Sequence, residues 1–213
     1  MQTPSRSPST LPPPAKPTKL QGILLAAGRS RRFGADKRLA PIDGIPMALV
    51  AARTLALALP DPVVVVAAAD EPIAQCLTEA GFDLAVNPHG LGGMGKSLAT
   101  GVAARLDASG WVIALADMPW VRLATYRAIC AAAAWDAIVA PGFCGRRGHP
   151  VAFGGAFRHD LVALDGDEGA RWIVKRSPHA LRLIDSDDPG TVCDVDHPND
   201  LDALRELQDP GRA

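Results

Sequence analysis

Cysteine is sparse and unpatterned in this chain. Cys76, Cys130, Cys144 and Cys193 are the only four, and no C-x-x-C pair occurs. Neither a zinc site nor a disulfide framework is indicated, and the reduced thiols of a cytosolic protein are the simplest reading. An excess of one charge is lacking too, since 22 Lys and Arg against 23 Asp and Glu leave a formal net charge of -1. That balance offers no broad attraction to nucleic acid or anionic lipid and favours a small-molecule role. A bilayer span needs roughly 20 apolar residues in a row. The best run, ALVAARTLALALP, is interrupted by Arg53 and ended by Pro60. Residues 1–19, MQTPSRSPSTLPPPAKPTK, lack an apolar stretch of signal-peptide length. Their Pro, Ser, Thr and Lys content cannot build a packed core. They read as a flexible tail ahead of one domain over residues 20–213.

What the chain does have is 48% hydrophobic residues, ample for a core, and a regular rhythm. The short apolar runs GILLA, PVVVVAAA, DLAV, WVIALA and AIVAP alternate with PMALVAARTLALAL, EPIAQCLTEAG, SLATGVAARL and RLATYRAICAAAAW, each long enough for a helix. The alternation predicts an α/β fold, a doubly wound and mostly parallel sheet with helices on both faces. In such sheets ligands bind beyond the carboxyl ends of the strands. After residue 141 the rhythm loosens: GFCGRRGHP reads as a loop, VAFGG, LRLI and TVCDV as strands, FRHDLVAL and DEGARWIVKRS as helical, and PNDLDALREL as a closing helix.

Two segments compete for nucleotide phosphates. GLGGMGKS, residues 90–97, matches the phosphate-loop pattern G-x-x-x-x-G-K-[ST], with Lys96 and Ser97 in the diagnostic places. LLAAGRSRRFGADK, residues 24–37, directly follows the first strand. There Gly28 and Gly34 let backbone N–H groups approach an anion, and Arg29, Arg31, Arg32 and Lys37 place four cations within nine residues. The plain alternative for this second segment is a solvated basic loop. A P-loop would use Asp117 as the carboxylate that holds magnesium, and would leave the basic loop without a role.

WVIALADMP ends a strand in Asp117, a suitable oxygen ligand for a hard cation. DVDHPNDL puts Asp194 and Asp196 on one face of an extended segment, with a helix N-cap as the alternative role for Asp196. GRRGHP, residues 145–150, sets Arg146 and Arg147 beside His149 in a glycine-bracketed loop suited to an anionic, hydrogen-bonding partner, unless His149 only holds the turn. No Ser-His-Asp or Cys-His arrangement stands out.

LAAGRSRRFGADK resembles the L-A-A-G-x-S-x-R-F-G-x-x-K signature of the molybdenum cofactor nucleotidyltransferases, and within them the cytidylyltransferase (MocA-like) branch. NPHGLGGMGKSL, ALADMP, GRRGHPVAF, GDEGAR and DVDHPNDL continue the resemblance in the same order over residues 20–205. It implies a single-domain, Rossmann-like nucleotidyltransferase fold and transfer of CMP from CTP to a molybdopterin-type cofactor, with release of pyrophosphate. It implies Mg²⁺ held by Asp117 and Asp196, with Asp194 the lesser candidate, and Lys37 and Asp117 as the catalytic pair. The implied nucleotide site is Leu25, Ala26, Ala27, Gly28, Arg29, Lys37, Gly93, Gly95 and Ser97, and the acceptor site is Arg147, His149 and Arg171. Lys96 falls at a free position of the family's G-M-G-x-S-L, so the P-loop match becomes a coincidence. The resemblance further implies transient contact with a molybdoenzyme or its chaperone, no nucleic-acid or membrane partner, and a cytoplasmic setting. L-A-A-G, where guanylyl-transferring relatives read L-A-G-G, points to CTP. Guanylyl transfer to the same cofactor, nucleotidyl transfer to a sugar phosphate, and a non-catalytic cofactor carrier are the competing readings.

Overall fold

The computed structural model describes residues 17–28, 33–87 and 93–201. Its elements follow the predicted alternation: β1 (Leu20–Leu25), a 3-10 turn (Lys37–Leu39), the small hairpin β2 (Pro41–Ile42) and β3 (Ile45–Pro46), α1 (Met47–Ala58), β4 (Val63–Val66), α2 (Pro72–Glu79), β5 (Asp83–Val86), α3 (Gly93–Ala103), β6 (Gly110–Leu115) and α4 (Leu123–Ala132). Then come β7 (Ile138–Phe143), β8 (Arg146–Arg147), β9 (Val151–Gly154), α5 (Arg158–Val162), α6 (Arg171–Arg176), β10 (Leu181–Asp185) and, last of the four 3-10 turns among the described residues, Pro189–Val192. No helix among the described residues is long and apolar enough to cross a membrane.

The main sheet has the order β10-β7-β9-β6-β1-β4-β5, with β8 added to β7. β1 pairs in parallel with β4 and β6, β4 with β5, and β7 with β10, while β9 runs antiparallel between β6 and β7. Alternation along the strands divides the buried residues into two cores. Leu24, Val64, Val66, Val112 and Ala114 pack with Leu55 of α1, Ile73 of α2 and Tyr126 of α4. Ile23, Val63, Val65, Trp111 and Ile113 point the other way, toward Leu98 and Val102 of α3, Leu161 of α5 and Ile173 of α6. Coverage on both faces explains why β4 is four consecutive buried valines, the pattern of an interior parallel strand.

The chain winds from β1 outward to β4 and β5, then returns to place β6 on the other side of β1. That reversal opens a crevice beyond the carboxyl ends of β1 and β6, where open α/β sheets take their ligands. Residues 24–28 and Asp117 flank it.

Three late segments differ from their expected form. TVCDV is not a strand: Pro189–Val192 is a 3-10 turn, because the buried Asp188 carboxylate accepts from the Gly190 N–H and the Asp188 carbonyl accepts from the Thr191 hydroxyl. Turn chemistry at Asp-Pro-Gly outweighs β propensity there. GFCGRRGHP is a loop only in part, since β7 runs on to Phe143 and turns back into β8 through Cys144 and Gly145, both at positive φ. α6 starts only at Arg171, leaving GDEG as a separate turn. The closing helix is described to residue 201, and residues 1–16 of the expected tail lie outside the described residues.

Candidate active site

Lys37 opens the 3-10 turn that follows the basic loop, with Asp36 as its N-cap. Its ammonium reaches across the crevice to Asp117 Oδ2 at 2.9 Å, the Val195 carbonyl at 2.8 Å and Asp196 Oδ1 at 3.1 Å. Burial by itself would push the Lys37 pKa down. The carboxylates of Asp117 and Asp196 more than reverse this and hold it above its ordinary value, so the side chain is a cation at any physiological pH. Asp117 follows the end of β6, where the Ala116 N–H donates to the Leu25 carbonyl. The Val195 N–H donates to the Asp117 carbonyl at 2.9 Å, which docks the late DVD segment against the strand end. Oxygens of Asp117, Asp194 and Asp196 consequently lie within 4.8 Å of one another. Three carboxylates at that spacing fit a hard divalent cation, which takes oxygen ligands. Asp194, the lesser candidate from sequence, belongs to this group as fully as Asp196.

Asp196 sits one residue ahead of the cap of the closing helix. Asp200 accepts from the N–H groups of Asp196 and His197 at 2.8 and 2.7 Å, as an acidic side chain in a first helical turn does when it closes back on the cap.

A cation network that the sequence did not disclose supports the same corner. Arg38 is buried and donates to Asp36, to both oxygens of Glu71 and to the Ala26 carbonyl, the last at 2.6 Å. Glu71 also accepts from the Ala67 N–H. Arg38 thus ties the residue next to Lys37 to the backbone at the ends of β1 and β4. The D-K-R triplet was the only local hint, because Glu71 lies 33 positions away.

The other expected nucleotide residues fall into two sets. Leu25, Ala26, Ala27 and Gly28 line the end of β1, with Ala26 and Ala27 buried and Gly28 exposed. Arg29 lies outside the described residues, as do Arg31, Arg32, His89 and residues 90–92 of the P-loop-like stretch. Gly93 and Gly95 meet the GDEG turn. A Cβ on Gly93 would come within 2.4 Å of the Gly166 backbone, and the Gly95 N–H donates to the Gly166 carbonyl at 2.9 Å. Ser97 is buried, accepting from the Asn87 amide and donating to the Gly93 carbonyl. Lys96 pairs with the exposed Asp165 at 3.4 Å. The amide and lysine that a P-loop would turn toward phosphate are engaged with the 165–166 segment.

Beside the carboxylates lies a cavity of about 330 Å³ lined by Leu98, Ile113, Asp117, Met118, Arg146, Arg147, His149, Phe153, Glu168, Arg171, Val174 and Asp194 among others. The expected acceptor residues Arg147, His149 and Arg171 all line it. His149 is held by its backbone N–H, which donates to the Thr191 carbonyl. Its Nδ1 is buried with no hydrogen-bond partner.

A lysine and three carboxylates at the switch point of a mostly parallel sheet, facing a cavity edged with arginines, suit a divalent cation and an anionic phosphate, the needs of an α/β enzyme that handles nucleotides. The chain belongs to the MobA-like NTP transferase domain family, whose model matches residues 22–181, and is a nucleotidyltransferase of that type. Purine catabolism protein PucB of Bacillus subtilis is 29% identical over 197 residues, covering 87% of this chain and 96% of that protein. Nicotine blue oxidoreductase of Paenarthrobacter nicotinovorans is 30% identical over 186 residues, 82% of this chain and 91% of that protein. Molybdenum cofactor guanylyltransferase of Rhodobacter capsulatus is 36% identical over 89 residues, 42% of this chain and 43% of that protein. Among solved structures, Rv0371c of Mycobacterium tuberculosis H37Rv in complex with manganese superposes with a TM-score of 0.75 at 26% identity, covering 89% of this chain and 99% of that one.

Proposed function

We propose that this protein transfers the CMP group of CTP to the phosphate of a molybdopterin-type cofactor and releases pyrophosphate. The observation that carries the reading is the convergence of Lys37 with Asp117, Asp194 and Asp196 next to an arginine-edged cavity. An acceptor phosphate oxygen attacks the α-phosphorus of CTP; the new P–O bond forms as the bond to the β-phosphate bridging oxygen breaks, and pyrophosphate leaves. An ionised phosphate is already a nucleophile, so the site needs no general base. Lys37 binds the triphosphate and offsets the charge that develops on it, while the backbone after β1 orients the nucleotide. Asp117, Asp194 and Asp196 would hold Mg²⁺, which supplies neutralisation of phosphate charge when bound. Arg147 and Arg171 receive the anionic end of the acceptor. The name of the partial relative from Rhodobacter capsulatus supports the molybdenum cofactor as acceptor class. Ala27 supports CTP over GTP. Pyrophosphate release measured with each nucleoside triphosphate, with and without the molybdenum-bearing pterin cofactor, tests the reading. Release that is fastest with CTP and dependent on the cofactor is the expected result, and cofactor-independent or absent release overturns it.

A further inference from the structure

Asp188 is a carboxylate with no solvent contact, and the chemistry proposed above does not use it. Burying such a group is costly unless its oxygens find donors. Here the donors come from two distant parts of the chain. Oδ2 accepts from the Arg122 N–H at 2.8 Å and from the Thr125 hydroxyl at 2.6 Å, both at the start of α4. Oδ1 accepts from the Gly190 N–H at 3.0 Å, within the 3-10 turn Pro189–Val192. The Asp188 carbonyl accepts from the Thr191 hydroxyl at 2.7 Å. One side chain, 63 positions beyond Thr125, thus pins the late turn to the start of a core helix.

The pinned turn leads directly into the carboxylates of the candidate metal centre. Gly190 packs so closely on Trp120 that a Cβ there would lie 2.4 Å from the Trp120 carbonyl oxygen, and the Thr191 carbonyl accepts from the His149 N–H at 2.8 Å. Asp194 and Asp196 follow, one on either side of Val195, whose N–H donates to the Asp117 carbonyl at 2.9 Å. Asp194 is exposed, so its place is set by the backbone around it: the anchored turn on one side and Val195 on the other.

We propose that Asp188 is a positioning residue for the candidate metal centre, which without touching the cation fixes the turn that sets Asp194 and Asp196 against Asp117. The inference rests on the assignment of those three carboxylates to a divalent cation. The anchor is firm, because α4 is packed into the core through Tyr126 and Ile129. A hard cation takes its oxygens at short, fixed distances, so freedom in the turn would spread the ligands and weaken binding.

Three substitutions test this in the full-length protein. Asp188→Asn keeps the size but has one oxygen, so either α4 or the Gly190 N–H loses its acceptor. Thr125→Val is milder, removing one bond to Oδ2 from a residue that neither lines the cavity nor belongs to the carboxylate group. Ile129→Val trims the core on the same helix and removes no bond to Asp188. Mn²⁺ alone is titrated into each protein, with electron paramagnetic resonance reading the bound ion and circular dichroism the folded fraction. Asp188→Asn should weaken Mn²⁺ binding per folded molecule on the order of 10-fold, the scale on which lost support behind metal ligands is felt. Thr125→Val should weaken it in the same direction by a smaller factor, and Ile129→Val should match the wild type. Wild-type affinity in folded Asp188→Asn overturns the inference and leaves Asp188 a helix cap; if that variant does not fold, wild-type affinity in Thr125→Val overturns it instead. Equal weakening in Ile129→Val also overturns it, as an effect of stability alone. A wild type that takes up no Mn²⁺ removes the metal assignment and the inference together, whereas bound Mn²⁺ indifferent to all three substitutions removes the inference only.

Discussion

Lys37 Nζ lies 2.9 Å from Asp117 Oδ2, with Asp196 Oδ1 at 3.1 Å on its other side. One cation thus bridges the end of the central strand and a segment 159 positions away in the chain. The lysine proposed to bind phosphate and the carboxylates proposed to bind metal are held together by mutual attraction.

That arrangement predicts opposite outcomes for two lysines. Lys37→Ala should lower kcat on the order of 10²-fold or more, the usual cost of one transition-state donor. Lys96→Ala removes only a partly exposed pair with Asp165, worth about 0–1 kcal/mol, and should leave turnover near normal. Steady-state pyrophosphate release on both variants makes the comparison, and the reverse ranking would restore the P-loop reading.

The carboxylates should separate metal binding from capping. Asp117→Asn, Asp194→Asn and Asp196→Asn should each weaken Mn²⁺ binding, read by electron paramagnetic resonance, and reduce metal-dependent turnover. Asp200→Ala should instead cost about 1 kcal/mol of stability in urea unfolding through the lost backbone bonds at Asp196 and His197, with turnover per folded molecule retained. Normal metal binding in Asp196→Asn would assign Asp196 to the Lys37 pair alone.

Arg38 should be a stability residue that also shows in nucleotide binding. Burial lowers the tendency of its guanidinium to stay charged, but the hydrogen bonds it donates to Asp36 and Glu71 more than compensate. Arg38→Met leaves those two carboxylates without their cation at a cost of about 3–5 kcal/mol. Arg38→Lys, lacking the planar fork, should fall between Arg38→Met and wild type. Both should raise the CTP KM, because the Ala26 carbonyl loses its anchor.

Ala27 is buried in the core facing α3, so its methyl acts by fixing the backbone between Ala26 and Gly28. On the proposed cytidylyl assignment, restricting φ and approach there disfavours a purine. Misfits of this kind are worth about 1–3 kcal/mol, or roughly 10- to 200-fold. The wild type should prefer CTP over GTP in kcat/KM, and Ala27→Gly should narrow the preference. Equal rates in the wild type would sink the cytidylyl assignment alone.

His149 should make the fold acid-sensitive. Its pKa is depressed from 6.5 to about 4, chiefly by burial, so between those values the unfolded chain binds the proton more readily. Stability from this site is present in full above pH 6.5 and is lost as the pH falls toward 4, at most about 1.4 kcal/mol per pH unit. Thermal unfolding at pH 7 and pH 5 should show a larger fall in Tm for wild type than for His149→Gln. Equal falls would show that the ring titrates freely in the folded protein.

Much of this architecture is written locally. The period of apolar residues, the proline at the first turn of α2 and the valine run of β4 depend on neighbours a few positions away, so strands, helices and the doubly wound order are legible in the chain. Asp117 is legible for the same reason, as a carboxylate that follows an apolar strand. The Asp188-Pro189-Gly190 turn was equally local, and reading TVCDV as a strand gave β propensity too much weight against it.

Contacts between distant segments are different, because they depend on which strands become neighbours and on how each loop is turned. Only the return of β6 beside β1 brings Lys37, Asp117, Asp194 and Asp196 together, and only folding closes Arg38 on Glu71. GMG and GDEG are two motifs in sequence and one packed surface in space, where Gly93 and Gly95 leave room for the Gly166 backbone. The environment of His149 is likewise decided by tertiary structure. Sequence supplies an imidazole in a GHP loop; burial in the folded chain disfavours its charged form and leaves its Nδ1 without a partner.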